Sequence, residues 1–166
     1  DCLAVIDEFT AAAGGIDALL VLSGAIEFSG HWNDMSEAEW QREITLNLNY
    51  PFFLARAAMR KMKDQDQRGN KKGGRIVLTG TESALHGGSP ESFPYAIAKR
   101  GTECMVQGLA REGAPQGILV NGVRLGFIAS GFHERWRNKA EAAMKDPAAF
   151  ALFKRRAGPG DARSEA

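Results

Sequence analysis

In the stretch "RIVLTG", residues 75–80, the apolar run Ile76-Val77-Leu78 is closed by Thr79-Gly80. Its length and its β-branched residues fit a strand buried on both faces better than a helix. A glycine- and proline-rich loop follows as far as Pro94. A helical pattern then covers about 94–112, and "GILVNGVRLG" (117–126) reads as another strand. Upstream, "IDALLVLSG" (16–24) has the same look of a strand buried on both faces and ended by Ser-Gly. From Ser36 the pattern turns helical: Ser36 can cap, Glu39 stands where a capping box needs it, and Trp40, Ile44 and Leu48 follow at helical spacing. That helix is expected to run, with an interruption, to about Met62, leaving "KDQDQRGNKKGG" (63–74) as a solvated loop. The opening residues Cys2, Leu3, Val5, Ile6 and Phe9 make one more helical stripe. Strands alternating with helices of this length predict βαβ units on a parallel sheet, an α/β protein.

In such sheets ligands gather at the carboxyl ends of the strands. Those ends here are Ser23-Gly24, Thr79 to Ser83, and Gly126 to Ser130. Just beyond the second lies "SFPYAIAK" (92–99), with Tyr95 and Lys99 four apart after a proline. Four residues are one turn plus a little, so the two side chains share a helix face. A phenol near its ordinary value is a poor acid or base at neutral pH, and an ammonium one turn away brings it toward the working range. Pro51 has no amide hydrogen for the carbonyl four residues back, which is that of Asn47. A kink with a freed carbonyl is therefore expected at Asn47. Asn49 is the second choice for that position.

Composition sets the outer bounds. The 166 residues suffice for one domain with a core, and 21 Lys and Arg against 20 Asp and Glu argue for neither nucleic acid nor an anionic membrane as partner. No apolar run approaches a membrane span, and there is no signal peptide. The two cysteines, Cys2 and Cys104, have neither metal nor redox spacing, and Cys104 is expected to be small, buried and reduced, in keeping with a cytoplasmic protein. No two of His31, His86 and His133 have ligand spacing, so no metal site is expected.

Five segments together resemble the short-chain dehydrogenase/reductase family: "GGIDALLVLSGAI", "EWQREITLNLNYPFFLARAAMRKM", "GGRIVLTGTESA", "YAIAK" and "GILVNGVRLGFIAS", in the family's order and covering nearly the whole chain. The resemblance implies a Rossmann-like doubly wound parallel sheet of which residues 1–166 supply only the C-terminal part, about three strands with flanking helices. It implies an oxidoreductase using NAD or NADP to interconvert an alcohol and a ketone or aldehyde. Tyr95 would exchange the substrate proton, Lys99 would lower its pKa and hold the nicotinamide ribose, and Asn47 would hold a relaying water. The family's serine has no direct counterpart. Thr81 stands fourteen residues before Tyr95 and Ser83 twelve, and Thr81 is favoured over Ser83 as donor to the substrate oxygen. Gly24, Gly126, Ile128 and Ser130 fall at cofactor-lining positions, and Ser83, His86 and Phe93 at substrate-facing ones. Residues 127–153 would form a substrate lid within the single partial domain.

There are departures. Val21-Leu22-Ser23-Gly24 stands where the family has Asn-Asn-Ala-Gly, and Leu125-Gly126 where it has Pro-Gly. The family's glycine-rich turn, which opens a helix under the pyrophosphate, has no counterpart: Gly14-Gly15 and Gly73-Gly74 each precede a strand. With no initial methionine either, the chain reads as a fragment, inactive in isolation, of an enzyme that forms a homo-oligomer. The alternative is a non-catalytic interaction module that uses the surfaces of its two long helices, 36–62 and 94–112.

Overall fold

The computed structural model describes residues 2–28, 30–67 and 73–126, all within one compact unit, Asp1–Gly126. Helix α1 (Cys2–Ala13) leads into strand β1 (Ala18–Val21). Helix α2 (Glu37–Ile44) passes through a π-helical turn (Thr45–Asn49) into α3 (Tyr50–Gln67). Strand β2 (Gly74–Thr81), helix α4 (Phe93–Gly113) and strand β3 (Ile118–Leu125) complete the series. The strands lie in the order β1-β2-β3, all parallel, with Leu19 opposite Ile76 and Ile76 opposite Val120. This is the Rossmann-like α/β arrangement expected from the sequence, three parallel strands with flanking helices.

Local chemistry explains the boundaries. Ser36 and Glu39 form the expected capping box: the Glu39 amide donates to Ser36 Oγ at 3.3 Å and the Ser36 amide to Glu39 Oε2 at 2.8 Å. Pro94 sits in the first turn of α4, where its missing amide hydrogen is no loss. Past α4 and a short 3-10 turn, Gly117 adopts φ 71°, the left-handed conformation that lets the chain turn into β3. Helix α3 runs to Gln67, so residues 63–67, expected in a loop, are helical, and Lys63 pairs with Glu112 of α4 at 2.7 Å.

The core lies between the sheet and one helical layer. Alternate strand residues Val21, Ile76, Leu78, Ile118 and Val120 meet Ala55, Ala58, Met59 and Met62 of α3, with Ile6 of α1 behind. The opposite face carries Leu20, Leu119 and Val123, all exposed. The expectation that the strands are buried on both faces therefore fails among the described residues, whose helices cover one face. Cys104 is exposed on α4, against the expectation that it is buried. Helical phase decides this: the buried residues of α4 include Tyr95, Ala98, Lys99 and Thr102, and Cys104 lies roughly 200° round the helix from Thr102, on the face that carries Arg100 and Ile97. No helix among the described residues is long and apolar enough to cross a membrane, and no cluster of three potential metal ligands occurs among them.

Candidate active site

Lys99 is a buried charge, 1% exposed. Its Nζ donates to the Ser23 carbonyl at 3.0 Å and to the Thr79 carbonyl at 3.1 Å, so α4 is tied to the carboxyl ends of β1 and β2. Burial lowers its pKa from 10.5 to about 8. Gly24 makes room for this ammonium. A Cβ there would lie 2.8 Å from Lys99 Nζ and 3.2 Å from Asn47 Oδ1. The close approach of Lys99 and Asn47 is a reason for a small residue here beside the expected approach of the backbone to a cofactor.

Asn47 lies at the expected irregularity, which takes the form of the π-helical turn, with the Tyr50 amide reaching back to the Thr45 carbonyl. Its own carbonyl is not left free as expected: it accepts from Thr102 Oγ1 at 3.3 Å. The side-chain amide is fully occupied. Oδ1 accepts from the Ala25 amide at 3.1 Å, and Nδ2 donates to the Ala25 carbonyl at 2.8 Å, the Glu43 carbonyl at 3.1 Å and Glu43 Oε2 at 3.0 Å. Glu43, one turn before Asn47, is 1% exposed and was missed in the sequence. Its signal was available: Glu43 and Asn47 are four apart, the spacing that singled out Tyr95 and Lys99. The apolar stripe drew attention instead, yet Trp40 is 37% exposed while the polar pair beside it is buried.

Tyr95 and Thr81 are both 9% exposed, and a hydrogen bond joins their side chains. The phenol is held above its ordinary value, chiefly by burial and further by the Glu43 charge; the Thr81 hydroxyl opposes this. The expected lowering by Lys99 is not what this geometry gives. Lys99 Nζ is 5.8 Å from the Tyr95 ring centroid and is turned to the strand carbonyls. Thr81 also accepts from the Ser83 amide at 3.4 Å as it opens a 3-10 turn over Glu82–Leu85. Ser83 is half-buried within that turn, and its carbonyl takes the His86 and Gly87 amides. His86 is exposed at the end of the turn.

Phe93 does not join this group. It precedes Tyr95 by two residues, roughly 200° round the helix, and packs edge-on against Trp32 with centroids 6.2 Å apart. Gly126 is exposed at the end of β3. Ile128, Ser130 and the lid expected over 127–153 lie outside the described residues. The structure thus brings together Tyr95, Lys99, Thr81, Asn47 and Gly24, adds Glu43, and leaves His86 and Phe93 at the periphery. An ammonium using two of its three hydrogens on carbonyls, beside a phenol, is a donor set that suits the hydroxyls of a ribose.

Comparison with known proteins bears on the family and the fold. The sequence profile of the short chain dehydrogenase family matches residues 1–141. Human dehydrogenase/reductase SDR family member 4 is 30% identical over 135 residues, 80% of this chain and 46% of that protein. The chain spans less than half the length of the curated relatives it matches. A short-chain type dehydrogenase/reductase from Mycobacterium marinum superposes with TM-score 0.75 at 28% identity, over 86% of this chain and 54% of that one. A short chain dehydrogenase from Burkholderia cenocepacia, solved in complex with NADP, superposes with TM-score 0.65 at 28% identity, over 74% of this chain and 46% of that one. Matched over most of its length and carrying the expected sheet, the chain belongs to the short-chain dehydrogenase/reductase family of oxidoreductases.

Proposed function

We propose that this chain supplies the acid–base residues of an NAD(P)-dependent oxidoreductase that interconverts an alcohol with a ketone or aldehyde. The observation that carries the reading is a buried phenol, hydrogen-bonded to the Thr81 hydroxyl and one helical turn from a buried ammonium. Tyr95 gives its proton to the carbonyl oxygen during reduction. Because burial keeps the phenol protonated through neutral pH, the reductive direction starts from the correct protonation state. Thr81 places its hydroxyl beside the same oxygen, and its hydrogen bond favours the phenolate that forms. A nicotinamide, when bound, supplies or accepts the hydride. Lys99 would hold its ribose through the remaining N–H, and use of that cofactor is supported by the NADP bound in the Burkholderia cenocepacia relative. Asn47 keeps the backbone beside Lys99 in place, and its carbonyl retains a lone pair for a relaying water.

Tyr95→Phe in the intact gene product tests the reading, with reduced nicotinamide and a panel of ketones. A loss of about 10²- to 10⁴-fold in kcat is expected; unchanged turnover would sink it. The same reading carries a homo-oligomer formed over exposed Phe52 and Phe53 of α3 and Ile97 of α4. Phe53→Asp should then sediment as a smaller species than the parent, and identical sedimentation would count against that surface.

A further inference from the structure

One face of α4 carries Tyr95, Lys99 and Thr102, all three buried. The first two reach the end of the sheet, through Thr81 and through the Ser23 and Thr79 carbonyls. Thr102 reaches the other way, to the π-helical turn. It is 1% exposed, and its Oγ1 stands 3.3 Å from the Ala98 carbonyl and 3.3 Å from the Asn47 carbonyl. A hydroxyl has one hydrogen to give, so the two acceptors compete for it. Ala98 lies inside α4, where the amide of Thr102 is its main-chain donor four residues on. The Asn47 carbonyl would look to the amide of residue 51, and Pro51 has none. Asn47 is also buried, out of reach of bulk water. The hydroxyl hydrogen therefore belongs on Asn47, against the habit of a helical threonine, which bonds to its own carbonyl four residues back. The two helical segments meet closely here: a Cβ at Gly101 would lie 2.9 Å from Leu48 Cδ1.

We propose that Thr102 is a positioning residue of this site: its hydroxyl supplies the donor that Pro51 cannot, and so holds the Asn47 carbonyl on which the relaying water would rest. The consequence for turnover rests on the function proposed above, but the hydrogen bond does not. A carbonyl oxygen has two lone pairs. With one of them occupied by Thr102, a water has a single direction from which to donate to Asn47. Without the hydroxyl, a buried carbonyl is left short of a donor, and either the water moves into the vacated direction or the turn shifts. Thr102 thus acts through Asn47 and is not itself given a part in the proton transfer.

Thr102→Val in the intact protein removes the hydroxyl and keeps the branched shape, while Thr102→Ser keeps the hydroxyl and removes the methyl group. The first readout is the carbonyl-carbon NMR resonance of Asn47, selected by carbonyl-labelled asparagine with nitrogen-labelled leucine, because Asn-Leu occurs once in the 166 residues. Loss of a hydrogen bond shields a carbonyl carbon, so the resonance should move upfield in Thr102→Val and stay near the parent's in Thr102→Ser. A resonance unmoved by valine would overturn the proposal, since the hydrogen would then have been on Ala98. The second readout is turnover with reduced nicotinamide and ketones. In Thr102→Val, kcat should fall about fivefold, the equivalent of one neutral hydrogen bond, with KM near the parent's, and Thr102→Ser should recover most of it. A parent-like kcat in Thr102→Val would overturn the positioning role. No turnover in the parent would count against the proposed function instead, and the carbonyl resonance would still decide the hydrogen bond. Where Thr102→Val does not fold, the double variant Pro51→Ala with Thr102→Val should, because the restored amide can serve the carbonyl. Failure of that double variant, while Pro51→Ala alone folds, would overturn the proposal as well.

Discussion

Replacing Lys99 by methionine gives the most direct test of the electrostatic argument, because stability and function should part company. An unfolded lysine holds its proton up to about 10.5, while folded Lys99 releases it near 8. Between these values the unfolded chain binds more protons than the folded one, so folding stability rises with pH. At pH 7 the buried ammonium costs about 3 kcal/mol relative to the unfolded chain, and at pH 10 under about 1 kcal/mol. The parent should therefore gain about 2.5 kcal/mol between pH 7 and pH 10 from this group alone. Lys99→Met cannot titrate, and other groups contribute similarly to both proteins. The substitution also leaves the Ser23 and Thr79 carbonyls without their donor, a cost of about 1–3 kcal/mol for each unsatisfied group that does not vary with pH in this window. The measurement is urea unfolding of both proteins at several pH values, read as the difference in stability. A difference that shifts toward the parent by about 2.5 kcal/mol on going from pH 7 to 10 is expected. A constant difference would show that Lys99 is not buried as a charged group, and the account of the site would fail with it.

Three further outcomes follow from the geometry. Gly24→Ala places a methyl group 2.8 Å from Lys99 Nζ, so the variant should lose about 1–3 kcal/mol to overpacking and lose turnover as well; urea midpoints equal to the parent's would contradict the contact. Thr81→Ala should lower reductase turnover and raise the Tyr95 titration further, since the Thr81 hydrogen bond favours the phenolate. Ser83→Ala should leave the Tyr95 titration near the parent's, and the reverse pattern would transfer the donor role to Ser83. The isolated chain 1–166 should show no nicotinamide-dependent reduction of a ketone panel, because among the described residues no glycine-rich turn opens a helix: Gly14 and Gly15 lie between α1 and β1, and Gly73 leads into β2. Turnover by that chain alone would refute the expectation.

The sequence by itself determined the order of elements, because burying alternate faces of strands and helices leaves regular apolar periods: β1, β2, β3, the capping box at Ser36 and the helix carrying Tyr95 were all legible. It also determined the candidates Tyr95, Lys99 and Asn47, since spacing on one helix and the missing amide of Pro51 are local facts. Local chemistry could not say where α3 ends, because polar residues 63–67 gain their helical state from the element they continue and the ion pair to Glu112. Nor could it place Cys104, Phe93 or Glu43, whose exposure depends on what the neighbouring element offers. Only the tertiary structure decided that a glutamate could be buried while Trp40 beside it stays partly exposed. A charge enters the interior only where partners are already aligned to receive it, and here those partners are backbone amides and an asparagine. The same rule governs the lysine, whose two carbonyls come from residues 23 and 79, far apart in sequence and brought together by the pairing of β1 with β2.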